Sequence, residues 1–317
     1  MTKTAPLILA ADIGGTNTRV ALLDGVALRA DTVTRYRNDT AHGLEDILRS
    51  FLRTHSVTPD AVSLALAGPV SGDTGALTNL DWNISATNAS QATGGATSVL
   101  LNDLSAQGHA LPYLAKTAFT CIQTGKPAAS DAPSLMIGLG TGMNVAPVHH
   151  LAARTFVPAA EAGHISFSAQ DPALVAFEKS LAARIGHVAA EDILSGRGIA
   201  HAYQHCAGTS LPPADVMALC AQGDETGLRA VGLVIRALGH FAGDMALTHL
   251  PRGGIYLVGG VARALMPYFE PARFAECFAA KGRFTGFMAQ FPIHVVQDDY
   301  AALIGAASYA QQCLNAC

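Results

Sequence analysis

At 317 residues, half of them apolar, the chain is longer than one hydrophobic core usually organises, so two domains of unequal size are expected. Its net charge of −4, from 20 basic and 24 acidic residues spread along the chain, leaves no basic stripe for a nucleic-acid backbone, and no run approaches the roughly 18 apolar residues of a membrane span; the expected partner is a small molecule. The six cysteines form no Cys-x-x-Cys pair, which argues against a disulfide framework and a thiolate metal site, and the short apolar stretch before Asp12 is too brief for a signal-peptide core, so a cytoplasmic location is expected.

Residues 7 to 24 read as strand, turn and strand: Leu7-Ile-Leu-Ala-Ala11, then Asp12-Ile-Gly-Gly-Thr16, then Arg19-Val-Ala-Leu-Leu-Asp24. Helical spacing of Leu44, Ile47, Leu48, Phe51 and Leu52 predicts a helix over 41–54. The strand Ala61–Ala67 follows, closed by Gly68-Pro69. This alternation is the signature of α/β architecture. The strand Ser98-Val-Leu-Leu101 runs into Asn102-Asp103 and a helical segment, which puts a carboxylate at a strand's carboxyl end, where open α/β sheets bind ligands. From Ser134 the plan starts over, with a strand, the turn Gly138-Leu-Gly-Thr-Gly142 and another strand, as in a duplication. Residues 125–133 have the composition of a surface loop. A long helix over about 224–250 stops at Pro251, and the strand Gly254–Val258 meets Gly259-Gly260.

Each motif has a plain reading beside a chemical one. The turn at Gly14 and Gly15 lets backbone N–H groups approach an anion, with Thr16 donating to phosphate and Asp12 holding hydrated magnesium; a glycine pair in a hairpin is more often a tight turn only. Gly140, Thr141 and Gly142 repeat the device, and Gly259-Gly260 offers bare backbone to a flat ring. No Walker motif and no Gly-x-Gly-x-x-Gly spacing is present. Asp103, standing between a strand and a helix, reads on its local context first as an N-cap and only second as a catalytic base. Glu161, Glu191 and His164 are solvated side chains on base rates, although Glu161-Ala-Gly-His164 follows soon after the second glycine turn.

In this order and spacing the segments resemble the bacterial glucokinases of the actin, hexokinase and heat-shock ATPase superfamily. The stretches are Ala11-Asp-Ile-Gly-Gly-Thr-Asn-Thr-Arg-Val20, Ala67-Gly-Pro-Val-Ser-Gly-Asp73, Thr78-Asn-Leu-Asp-Trp82, Leu101-Asn-Asp103, Gly138-Leu-Gly-Thr-Gly142, Glu161-Ala-Gly-His164, Ala190-Glu-Asp-Ile-Leu-Ser-Gly196 and Leu257-Val-Gly-Gly-Val261. The resemblance implies two actin/hexokinase-like (ribonuclease H-like) α/β domains with a cleft between them. The small domain would be residues 1–106 with the last helix, about 300–317, and the large domain 107–299. It implies transfer of the γ-phosphoryl group of ATP to O6 of glucose, with Asp103 as general base. Asn102 and Asp103 would hold the O4 and O6 end of the sugar, Glu161, His164 and Glu191 its O1 to O3 edge, and Asn79 would line the cleft near Trp82. Asp12, Gly14, Gly15, Thr16, Gly140, Thr141 and Gly142 would cradle phosphates and magnesium, the metal held by Asp12 through water, with Gly259 and Gly260 at the nucleotide. A homodimer is the state the family implies.

The chain departs from the common pattern where Ala162 replaces the first glycine of Glu-Gly-Gly-His, which would narrow the sugar pocket, and where Asn144 replaces a small or apolar residue. No serine precedes the Ala190-Glu191 pair; this change is expected to matter little. A kinase for mannose, fructose or an N-acetylhexosamine would share every phosphate motif. A sugar-sensing repressor would need an N-terminal helix-turn-helix, for which the residues ahead of Asp12 leave no room. No structural zinc is expected, because Ile165-Ser-Phe-Ser-Ala169 follows His164 with no cysteine before Cys206.

Overall fold

Strands β1 (Leu7–Ile13) and β2 (Asn17–Asp24) form an antiparallel hairpin, and β1 also pairs in parallel with β5 (Ala61–Leu66), which pairs in parallel with β9 (Thr97–Asn102). The short strands β3 (Ala27–Leu28) and β4 (Thr34–Arg37) add to β2. These coordinates are a computed structural model that describes residues 5–77, 80–152, 154–169, 171–270 and 272–316.

Alternation along β1 feeds two cores, as a period of two requires. Leu9, Ala11 and Ile13 pack with Leu44, Ile47, Leu48 and Phe51 of α1 (Leu44–His55), whereas Ile8 and Ala10 pack with Leu303, Ala306 and Ala307. The helix starts at Leu44 and not at 41, because the extended Gly43 is its N-cap. A three-stranded antiparallel sheet, β6 (Val70–Ser71), β7 (Thr74–Leu77) and β8 (Leu80–Ser85), leads through α2 (Ala86–Ala92) to β9. The half-buried Trp82 packs against the α1 side of this core.

Helix α3 (Asp103–Ala110) leaves the end of β9. The last helix of the chain, Ala301–Leu314, lies across it so closely that a Cβ at Gly305 would overlap the carbonyl of Ala106.

The second unit repeats the opening plan. Strands β10 (Phe119–Gln123), β11 (Ser134–Leu139) and β12 (Met143–Leu151) are followed much later by β14 (Gly254–Val258) and β15 (Ile293–Val296); the three-residue strand β13 (Arg154–Phe156) groups with the first unit. The hairpin β11/β12 is antiparallel, β11 pairs in parallel with β14, and β14 in parallel with β15. Helices α4 (Pro172–Ile185), α5 (Ala190–Ile193), α6 (Gly196–Ala207), α7 (Pro213–Ala221) and the 25-residue α8 (Glu225–His249) build the core on one face of this sheet. Among the described residues α8 alone is long and apolar enough to cross a membrane, and most of its apolar window is buried inside the protein, so it is a core helix. Helices α9 (Gly260–Leu265), α10 (Phe274–Ala279), α11 (Thr285–Met288) and α12 (Ala301–Leu314) complete the chain. Contacts divide it into Met1–Ala115 with Ala153–Ala159 and Asp298–Cys317, and Lys116–Ala152 with Ala160–Gln297. Among the described residues Cys121, Cys206, Cys220 and Cys277 are free thiols.

Gly305 is a helix position where alanine would ordinarily be the better residue, but here its methyl has no room. Gly305→Ala is expected to lower stability by about 1–3 kcal/mol through overpacking, read as a lower midpoint in thermal or urea unfolding; a midpoint equal to or above the parent's would show that α3 and α12 can part at little cost.

Candidate active site

The parallel register sets Ile13, Leu66 and Asn102 side by side, so the ends of β1, β5 and β9 share one edge. Asp12 and Asp103 flank that edge. The half-buried Asp12 has Arg19 opposite it on β2, with Nη1 3.5 Å from its carboxylate. Burial pushes the Asp12 carboxyl above its usual value, and the Arg19 charge only partly opposes this.

The N-cap of α3 is Asn102, not Asp103: its Oδ1 accepts from the N–H groups of Leu104 (3.0 Å) and Ser105 (3.2 Å). Its Nδ2 donates to the carbonyls of Leu66 (3.4 Å) and Gly68 (3.2 Å), tying the ends of β5 and β9 together. Asp103, freed from capping, is the first helical residue, and its Oδ1 accepts from Leu104 N–H at 2.8 Å. Desolvation first, and the nearby Asp12 charge second, push the Asp103 carboxyl from 3.8 up to about 7, against the pull of the Leu104 N–H and the Asn102 side chain.

Asn38, 2% exposed, fixes the first glycine turn. It donates Nδ2 to the Gly14 carbonyl (2.7 Å), accepts from Thr18 Oγ1 (2.8 Å) and donates its N–H to Thr16 O (3.0 Å). Gly14 N–H in turn donates to Asn17 O at 3.0 Å. Gly15 is half-buried and Thr16 exposed at the tip. Asn79 lies outside the described residues.

In the second unit, residues 140–142 join β11 to β12, with Gly140 N–H donating to Gly142 O at 2.9 Å and Thr141 exposed. The Glu191 carboxylate lies directly on this turn: Oε2 accepts Met143 N–H at 2.9 Å, and a Cβ at Gly142 would come within 2.5 Å of it. Its other oxygen accepts from Arg197 Nη2 at 2.6 Å. The Glu161-to-His164 stretch reaches the same place because Ala190 N–H donates to Ile165 O (2.9 Å) and Phe167 N–H to Val188 O (3.0 Å), aligning it with the start of α5. Glu161 and His164 are both exposed there.

Asn144, placed three residues after Thr141, organises this stretch. Its Oδ1 accepts from Ala162 N–H (2.9 Å), and its Nδ2 donates to Ala160 O (2.6 Å) and to Glu161 Oε2 (3.3 Å). The Ala162 side chain, expected to intrude on the pocket, packs against the hydrophobic core. Gly259, at φ +101°, sits where a Cβ would overlap the Leu139 carbonyl, and the exposed Gly260 begins α9 beside it. Gly259-Gly260 thus borders the second glycine turn, since the pairing of β11 with β14 ends at Gly138 and Val258.

The second unit therefore gathers Gly140, Thr141, Gly142, Glu161, Glu191, Gly259 and Gly260 along one edge, and the first gathers Asp12, the Gly14–Thr16 turn, Asn102 and Asp103. A cavity of about 800 Å³ elsewhere in the second unit, lined by His205, Arg229 and Tyr268 among others, contains none of these residues. Among the described residues no group of three or more His, Cys, Asp or Glu side chains is placed to hold a metal ion. Asn38, Asn144 and Arg197 were not singled out as ligand-site supports by their sequence context; only Asn144 stood out, as a departure from the family pattern.

The Glucokinase family model matches residues 9–313. A glucokinase of Salmonella arizonae is 32% identical over 322 residues, covering 99% of both chains. The crystal structure of a glucokinase from an Antarctic psychrotroph superposes with a TM-score of 0.87 at 30% identity, over 98% of this chain and 100% of that one. A ROK family glucokinase from Streptomyces griseus, in complex with glucose and AMPPNP, shares the fold at a TM-score of 0.65 and 19% identity, over 96% of this chain and 99% of its own.

With its carboxyl raised to about 7, Asp103 makes the folded protein bind more protons than the unfolded chain between pH 4 and 7, so its ionisation costs stability as pH rises through that window. Asp103→Asn removes the cost. Its midpoint in thermal unfolding should exceed the parent's at pH 8, by a margin that shrinks as pH falls towards 5; a margin independent of pH would contradict the raised value.

Proposed function

Because the chain belongs to the glucokinase family, we propose that it transfers the γ-phosphoryl group of ATP to the 6-hydroxyl of D-glucose, with Asp103 as the general base. The observation that carries the reading is Asp103 itself, a half-buried carboxylate at a strand's carboxyl edge whose pKa of about 7 suits proton exchange near neutrality. Asp103 takes the O6 proton as the O6–P bond forms. The bond from phosphorus to the β,γ-bridging oxygen breaks, and ADP departs with that electron pair. Since phosphoryl transfer has a loose transition state, positioning and charge stabilisation supply most of the remaining rate.

Asn102 holds the turn that presents Asp103 at the O4 and O6 end of the sugar, with Asn79 in the segment beside Trp82. Glu161, His164 and Glu191 are assigned to the O1 to O3 hydroxyls. The turns at Gly14, Gly15 and Thr16 and at Gly140, Thr141 and Gly142 are assigned to phosphates, and Gly259 and Gly260 to the adenine side. Magnesium suits Asp12, through water: Arg19 stands 3.5 Å from Asp12, and the Asp12 charge adds to the cost of ionising the neighbouring Asp103, a charge imbalance that a divalent cation relieves. When bound, the ion offsets phosphate charge. The glucose and AMPPNP held by the Streptomyces griseus enzyme support the same pair of ligands here. A cytoplasmic homodimer is the state proposed.

Asn144 favours one second reading. Its bond to Glu161 alters the sugar-facing carboxylate, which leaves room for phosphorylation of mannose, fructose or an N-acetylhexosamine by the same machinery.

A coupled ADP-release assay with Mg-ATP against glucose, mannose, fructose, N-acetylglucosamine and no sugar separates these readings. Turnover dependent on glucose is expected; dependence on another sugar alone would move the substrate, and sugar-independent turnover would overturn the reading. Asp103→Asn should lose about 10²–10⁴ in kcat, the usual worth of general base catalysis. The parent's kcat/KM should fall about tenfold per pH unit below about 7, as Asp103 becomes protonated; a profile flat down to pH 5 would remove Asp103 from the role.

A further inference from the structure

Arg197 occupies the first turn of α6, where the helix macrodipole disfavours a cation. Its guanidinium is turned back onto α5, with Nη2 2.6 Å from Glu191 Oε1 and 3.8 Å from Asp192 Oδ1. The residue before it, Gly196, donates its N–H to Gly140 O at 2.8 Å. Glu191, at the other end of the same segment, accepts Met143 N–H at 2.9 Å. The glycine turn is therefore fastened at Gly140 by the start of α6 and at Met143 by Glu191, and the Arg197–Glu191 pair closes the ring.

We propose that Arg197 is a positioning residue: it fixes the Glu191 carboxylate so that one group serves both the sugar edge and the second glycine turn. A carboxylate on a four-residue helix has several rotamers open to it, and two opposed charged or backbone donors restrict it to one. With Oε1 facing Arg197 and Oε2 facing Met143, Glu191 keeps unused lone pairs that suit hydroxyl donors. Arg197 does not itself need to touch a ligand. Removing it frees the carboxylate to rotate off the turn and weakens the bond to Met143 N–H, loosening the sugar contact and the phosphate turn together. The sugar half of this inference rests on the proposed function; the coupling to the turn does not.

The test uses the full chain as parent, Arg197→Gln, Glu191→Gln and the double variant, with two readouts. Amide hydrogen exchange over residues 140–145, without ligand, should quicken about tenfold in Arg197→Gln and no further in the double variant than in Glu191→Gln. Glucose affinity by titration calorimetry should fall about tenfold in Arg197→Gln, with the double variant within about twofold of Glu191→Gln, because Arg197 acts through Glu191. Arg197→Lys, which keeps the charge, should recover part of both losses. Unchanged exchange in Arg197→Gln, or effects of the two single variants that multiply in the double, would overturn the positioning role. A parent that binds no glucose would instead refute the proposed function, and the exchange result would still decide whether Arg197 fastens the turn.

Discussion

Two carboxylates, Asp12 and Asp103, are held partly out of water at the carboxyl edge of one set of parallel strands, with Arg19 as the partner of Asp12. Nothing in folding favours such an arrangement, because each charge raises the cost of the other. The surrounding structure has to impose it. The register of β1, β5 and β9 fixes the two backbones at one edge, the Asn102 amide caps α3 so that Asp103 does not have to, and α12 packs across α3 from behind. The strain is of the kind that binding sites carry, relieved when a cation or a transferable proton arrives.

The second unit solves a different problem on the same plan. Its edge presents backbone amides and carboxylates, and its glycines are where neighbouring groups come closest: Gly142 under the Glu191 carboxylate and Gly259 against the Leu139 carbonyl. Here the polar side chains are paired. Asn144 and Arg197 each engage one acidic residue of the site, so the acceptors are set in place by contacts made within a single unit. Similar openings thus set partly desolvated carboxylates at an edge of the first unit and carboxylates paired with Asn144 and Arg197 at an edge of the second.

Local signals were legible in the sequence. Both glycine turns, the strands that lead into them, the long helix ending at Pro251 and the carboxylate after β9 all follow from patterns within about ten residues. What escaped depends on partners far along the chain. Asn38 reaches back 24 residues to Gly14, and Glu191 reaches 48 to Met143; nothing in the neighbourhood of either residue announces the contact. The choice between cap and base at Asp103 was open because both readings fit an acidic residue between a strand and a helix. It was settled as a matter of capping by the adjacent Asn102, whose side chain takes the Ser105 N–H and shares the Leu104 N–H with Asp103. The Ala162 methyl could not be assigned a direction from sequence, since a single residue between two turns has no periodicity to read.

The close seating of α12 on α3 has a bearing on how the chain is made. The first unit takes its strands from the start of the chain and one of its packing helices from the end, with nearly all of the second unit encoded between. On a ribosome adding about 5–20 residues per second, the early strands wait roughly ten to forty seconds for that helix, while the second unit has its whole sequence in hand sooner. The edge that carries Asp103 is thereby backed by α12 only after nearly all of the second unit has been synthesised.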